Sequence, residues 1–412
     1  MISGVVLTAG IGLGAPARAQ EAPGGGGAPG PAFLKTFAAE LAEIVTYREE
    51  VRLDVNGASA QSSRTAVDMA WTLTSPNTAL RASLTPYYEV FSENGLATYG
   101  GAAGLGMERQ ASPRLSWTLR STVVVAPEQD VSTPQTTPQP AVRELRVLVP
   151  RNGFVASTLG ASLSGQVSPR ATLGVGTSYS STSYNAFSVE RGAPAPASLA
   201  DQERVGISAT FGRDLTPTSA WSIQGAAART TLSGGTVTAT TGSDQRDQLS
   251  LTGGYSKTLA KQSVAAHAGF STIDSGARGK QGTAIVDLTW SRSGERIGFS
   301  LAARRAQGVF AAERVSADGS SVVGSLGWQL PGASRLGFNA EYGISQRSAS
   351  GSGEVRSRGV SALYTWTGRS LTWTATVASG RQRSDAGFGR NLDSMTASVS
   401  MAWRFAGRGV TR

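Results

Sequence analysis

The chain has no cysteine, a single histidine and only four lysines (Lys35, Lys257, Lys261 and Lys280) among its 412 residues. Without cysteine there are no disulfides, no iron–sulfur clusters and no thiolate zinc sites. Beyond the first 20 residues no apolar run approaches the roughly 18 residues that a membrane-crossing helix needs, which excludes a helical membrane protein. Charged residues make up only 16% of the chain. That is little for a soluble sheet protein, whose outward strand faces usually carry many Lys and Glu.

What the chain has instead is glycine, serine and threonine set between apolar residues with a period of two. Val360, Ala362, Tyr364 and Trp366 alternate with Gly359, Ser361, Leu363 and Thr365, and Leu371, Trp373, Ala375 and Val377 with Ser370, Thr372, Thr374 and Thr376. Val399, Met401, Trp403 and Phe405 alternate with Ser398, Ser400, Ala402 and Arg404. Such alternation gives a strand two faces that see different surroundings. It continues across nearly the whole chain in segments long enough to cross a bilayer at a tilt, for which about 9–11 residues suffice.

The sequence therefore predicts an all-β fold, a transmembrane antiparallel up-and-down β-barrel of about 18 strands over residues 44–405. The strands fall near 44–56, 64–74, 79–91, 96–109, 114–126, 153–167, 171–186, 202–213, 220–232, 246–258, 262–273, 282–292, 296–307, 320–330, 335–347, 357–367, 370–382 and 393–405. Segment 44–56 is rich in acid (Glu49, Glu50, Asp54), so a 16-strand barrel without it stays open as an alternative. Short Ser-Pro, Pro-Gly, Ser-Gly and Gly-Arg turns alternate with longer loops, including 127–152, 187–201, 233–245 and 308–319.

All eight tryptophans stand beside the short turns: Trp71, Trp117, Trp221, Trp290, Trp328, Trp366, Trp373 and Trp403. A ring of indoles at one height is what a membrane–water interface selects, and short turns mark the periplasmic side of an outer-membrane barrel. An even strand count then puts both termini in the periplasm. Residues 1–20 read as an export signal, with an apolar stretch (Ile2, Val5, Val6, Leu7, Ile11, Leu13) and Ala17-Arg18-Ala19 before Gln20, although no basic residue precedes Arg18. Residues 21–43 form a Gly/Pro linker followed by helical spacing in Phe33, Leu34, Phe37, Leu41 and Ile44, and 406–412 are a tail.

On these features the chain resembles the bacterial outer-membrane β-barrel proteins, porin-like ones of 16 to 18 strands in particular. The closing segment Ser398-Val399-Ser400-Met401-Ala402-Trp403-Arg404-Phe405 carries much of the likeness, because such barrels commonly end on an aromatic residue that the assembly machinery recognises. Here seven residues follow Phe405. The resemblance implies export, barrel-assembly machinery and outer-membrane lipid with lipopolysaccharide as partners, and a passive channel as the first function. A barrel for polysaccharide export with a separate periplasmic partner is the alternative; oligomeric state is left open.

Little in the sequence reads as chemistry. His267 faces the lumen beside Ser263 and Ser271 with no partners that mark a catalytic or metal site, so no catalytic residue, cofactor or metal is expected. Gly100-Gly101-Ala102-Ala103-Gly104-Leu105-Gly106 lies within a strand and opens no helix, so it is no phosphate loop. The net charge of +10 comes from arginine, and in an exported barrel it does not point to nucleic acid. Strand phase directs Arg64, Asp68, Arg81, Glu89, Arg120, Arg204, Asp287, Arg304 and Glu341 into the lumen, where a basic excess weakly favours anions. Arg114, Arg296, Arg335, Arg404, Glu108 and Asp214 share that phase, while Arg347, Arg356, Arg358, Arg381 and Arg383 fall at the outer rim, within reach of lipopolysaccharide phosphates. Loop 127–152 is the expected constriction, through Leu145-Arg146-Val147-Leu148-Val149.

Overall fold

The computed structural model describes residues 40–56, 58–91, 97–126, 154–184, 201–233, 244–274, 279–310, 315–347, 353–384 and 392–406. They form eighteen strands: β1 (Glu40–Asn56), β2 (Ala58–Ser75), β3 (Thr78–Phe91), β4 (Ala97–Ser112), β5 (Leu115–Ala126), β6 (Phe154–Ser168), β7 (Ala171–Tyr184), β8 (Asp201–Thr216), β9 (Ser219–Ser233), β10 (Asp244–Leu259), β11 (Gln262–Asp274), β12 (Lys280–Ser293), β13 (Ile297–Phe310), β14 (Val315–Leu330), β15 (Ser334–Arg347), β16 (Glu354–Thr367), β17 (Leu371–Ser384) and β18 (Leu392–Ala406).

Each strand pairs antiparallel with its successor, and β1 closes the ring by pairing with β2 on one edge and β18 on the other. Val51 stands opposite Val399, and Ile44 opposite Ala406. The acid-rich first segment is thus a staple of the wall, and the count is 18. Closure removes the two open edges that a sheet would otherwise present.

Two expectations need correction. Residues 40–44 continue the first strand, Leu41 facing Leu73 in register, so this part of the 33–44 segment is not helical; residues 33–39 lie outside the described residues. Leu41 and Ile44 by themselves do not separate helix from strand, and pairing with β2 decides between them. The 308–319 segment is also no long loop. β13 and β14 stay in register as far as Phe310 and Val315.

The wall is one residue thick, so there is no shared apolar core. Among the described residues eight hydrophobic side chains are buried, and four of them are alanines. Most of the large apolar side chains point outward. Val205, Leu249, Leu251, Val360, Val377 and Val399 are all exposed, Leu251 and Val360 by 60%. In water each such side chain would forgo about 1.5–3 kcal/mol of burial. Repeated round a closed ring, that arrangement is stable with lipid outside.

Candidate functional site

The inner wall is built from the other set of positions, and short hydroxyl side chains dominate it. They bond across neighbouring strands: Thr118 with Ser162 at 2.7 Å, Thr122 with Thr158 at 2.5 Å and Ser263 with Ser291 at 2.7 Å. Such pairs satisfy their own polar groups while leaving the space inside the ring to water.

Charged residues interrupt this lining in clusters. Arg64 and Glu89 face each other across β2 and β3, with the guanidinium Nε donating to the carboxylate at 3.1 Å. Ser62 Oγ donates to the other carboxylate oxygen at 2.8 Å. The Arg64 guanidinium also lies 4.3 Å from the centre of the Tyr87 ring. Tyr87 leans over Gly100, where a Cβ would overlap the ring, so glycine is needed at that point of β4.

A second cluster crosses β10 to β13. Asp287 and Arg304 are register partners joined at 3.0 Å, and His267 stands opposite Asp287 on the other side. The imidazole leans towards β10 instead, over Gly254, whose missing side chain makes room for it. Sequence reading placed His267 alone; the register supplies its acidic neighbour. Higher in the lumen Arg204 donates to Gln248 Oε1 at 2.8 Å, and Gln248 Nε2 donates to Ser271 Oγ at 3.1 Å.

Asp68, Arg81, Arg120 and Glu341 occupy inner-wall positions of β2, β3, β5 and β15, apart from these clusters; Glu341 extends over Gly359 of β16. Arg246 was missed from sequence, and it is an inner-wall residue of β10 that is 2% exposed. Its phase was the available signal. Among the described residues no group of three His, Asp or Glu could hold a metal ion.

The lumen is narrowed from its own wall. The β12–β13 ladder ends at Val286 and Arg305, while β13 continues beyond that point paired to β14 alone. Gln307 falls at an outer-wall position by phase, with Leu301, Ala303 and Arg305, yet it is only 3% exposed. Its backbone carbonyl accepts the Gln248 amide of β10 at 3.5 Å. A residue of β13 reaches β10 only by passing inside β11 and β12. Ser271 and Ile273 of β11 and Thr283 of β12 accordingly lie covered at 0%, 0% and 5% exposure. The free end of the β13–β14 hairpin therefore leans into the ring. The expected constriction, 127–152, lies outside the described residues.

Outside, the eight tryptophans all hold outer-wall positions, one to four residues from a strand end on the short-turn side. Trp366 and Trp373 are register partners. At the opposite end the outer face turns charged. Arg229 and Asp247 pair there at 2.7 Å, both more than half exposed. Arg356, Arg358, Arg381, Arg383 and Asp393 hold the same level on β16 to β18. The Arg347 side chain lies outside the described residues.

No family model matches the sequence, and no curated protein matches it. Among solved structures the chain is similar to OccK2 (OpdF) of Pseudomonas aeruginosa in complex with glucuronate, at 14% identity over 89% of this chain and 98% of that one, with a TM-score of 0.49. It is similar also to OccK1 (OpdK) of the same bacterium, at 12% identity over 90% and 99% with a TM-score of 0.48. OccAB4 of Acinetobacter baumannii aligns at 9% identity over 89% and 98%, with a TM-score of 0.45.

Proposed function

We propose that the protein is an outer-membrane channel through which small hydrophilic solutes diffuse, with a modest preference for anions. The observation that carries this reading is the opposition of the two walls around a closed ring. Hydroxyls, glycine and arginine line the inside, and exposed branched apolar residues the outside. A ring of 18 strands is wide enough for a water-filled passage.

The charge preference follows from the inner wall. Among described side chains, Arg64, Arg81, Arg120, Arg204, Arg246, Arg304, Arg335 and Arg404 hold inner positions, against Asp68, Glu89, Glu108, Asp214, Asp287 and Glu341. Glu89 and Asp287 are each engaged by one of these arginines. The remainder leaves a basic excess that a low-dielectric wall focuses on the passage. On this reading the tryptophan belt marks the periplasmic interface, and both chain ends emerge there.

Single-channel recording from the refolded protein in a planar bilayer, under a salt gradient, tests the proposal. Stable conductance steps with a reversal potential favouring chloride are expected. Membrane insertion without conductance would overturn the channel reading and favour a barrel that works only with a periplasmic partner.

A further inference from the structure

The outer rim over β16, β17 and β18 is charged in a way that a sheet does not favour. Arg356 stands directly opposite Arg383, and Arg358 directly opposite Arg381, both pairs on the outer face. Like charges at cross-strand positions repel and weaken the pairing. Two carboxylates offset them in part. Asp393 takes Arg381 at 3.1 Å and Arg383 at 2.7 Å, and Glu354 takes Arg356. Four guanidiniums thus share two acids, and Arg356, Arg381 and Asp393 remain 63%, 47% and 63% exposed. Among the described residues at the same height on β9 and β10, by contrast, one arginine meets one acid, Arg229 with Asp247.

Height and what lies beneath complete the picture. The four arginines stand nine to twelve residues along their strands from the short-turn ends at Thr367 and Leu371. At about 3.4 Å per residue and a tilt of roughly 40°, that is about 23–31 Å up the wall, the upper edge of an apolar band about 25 Å tall. Below them on the same face, past the exposed Ser379, run Val360, Val377 and Val399, each 47–60% exposed. A cationic cluster over an apolar strip fits a molecule with phosphate at one end and acyl chains at the other.

The geometry points to a binding site for a phosphorylated outer-leaflet glycolipid of the lipid A type. Its phosphates sit between the Arg356–Arg383 and Arg358–Arg381 pairs and its acyl chains lie along the Val360–Val377–Val399 strip. The planar, forked guanidinium suits bidentate contact with phosphate, and the excess of two positive charges over this patch matches a bis-phosphorylated headgroup. The site needs the barrel in a membrane but is independent of what crosses the lumen.

The test is lipid retention by the purified full-length barrel in mild detergent, read by native mass spectrometry and by the thermal midpoint. The proteins are wild type and the quadruple variant R356Q/R358Q/R381Q/R383Q, with R229Q as a control at the same height. Should the quadruple variant fail to insert, R356Q/R358Q and R381Q/R383Q are measured separately. Wild type and R229Q are expected to bind bis-phosphorylated lipid A at least about tenfold more tightly than the quadruple variant, given the strength of charge-assisted bidentate bonds. The same lipid stripped of phosphate should not distinguish them, and inorganic phosphate should not displace lipid A. Equal binding by wild type and variant, or equal binding of the dephosphorylated lipid to wild type, overturns the proposal. Displacement by inorganic phosphate at matched concentration would make this an anion site rather than a lipid site, and overturns it too.

Discussion

Asp287 and Arg304 meet 3.0 Å apart one rung below the place where β12 and β13 part company. Their ion pair sits at the root of the hairpin that leans into the ring. Replacing Asp287 with Ala should release the root while leaving the rest of the wall paired. A partly exposed pair of this kind is worth only about 0.5–1 kcal/mol, so the thermal midpoint should move little. The current trace should change more, with frequent sub-steps as the hairpin shifts. A variant with wild-type current noise would show that the root does not depend on this pair.

Glu89 is the opposite case. Its side chain and that of Arg64 are 8% and 13% exposed, and Ser62 completes the carboxylate's bonding. Glu89→Gln leaves a buried guanidinium facing a neutral amide and should cost about 3 kcal/mol, read as a lower urea midpoint for unfolding.

Outward and inward positions should respond differently to the same charge. Val377 is 47% exposed on the apolar band, whereas Thr374 is an inner-wall residue of the same strand. Val377→Arg should cost about 2–4 kcal/mol near the bilayer midplane and block assembly, while Thr374→Arg should assemble. Equal yields of folded barrel would mean that the two faces have been assigned the wrong way round.

Arg120 is exposed within the ring and stands between the small hydroxyls Thr118 and Thr122. Arg120→Glu should move the reversal potential under a salt gradient towards the cation value without changing the fold. Unchanged selectivity would remove this residue from the passage.

Cross-linking can verify ring closure directly, because the chain has no cysteine of its own. Val51 and Val399 are partners across the β1–β18 seam, and directly opposed strand residues lie within disulfide reach. V51C/V399C should oxidise to a species that keeps its compact gel mobility after heating, whereas V51C paired with a cysteine at Val377 should not.

The ring itself was legible because a period of two carries both the strand and its faces. All eighteen strands and the outward tryptophans follow from it. The hairpin was not. Ala306-Gln307-Gly308-Val309-Phe310 reads as an ordinary strand, and only polar Arg305 and Gln307 at outer-wall phase hinted that this piece leaves the lipid. Neighbours across strands were also hidden. Nothing in the chain places Asp287 beside His267, or Arg356 opposite Arg383, until the register is known. Leu41 and Ile44 fitted helix and strand equally, and only their partners on β2 separate the two.

The seam between β1 and β18 also governs how the molecule comes into being. Its partners, such as Val51 and Val399, are separated by almost the entire chain, so the contact that closes the ring is also the most distant in sequence. Until β18 has been delivered, β1 has one unsatisfied edge and the intermediate is an open sheet prone to pairing with other chains. A chain cut short anywhere before β18 is therefore not a smaller version of this protein. It is a permanent intermediate, and degradation rather than partial activity is its expected fate.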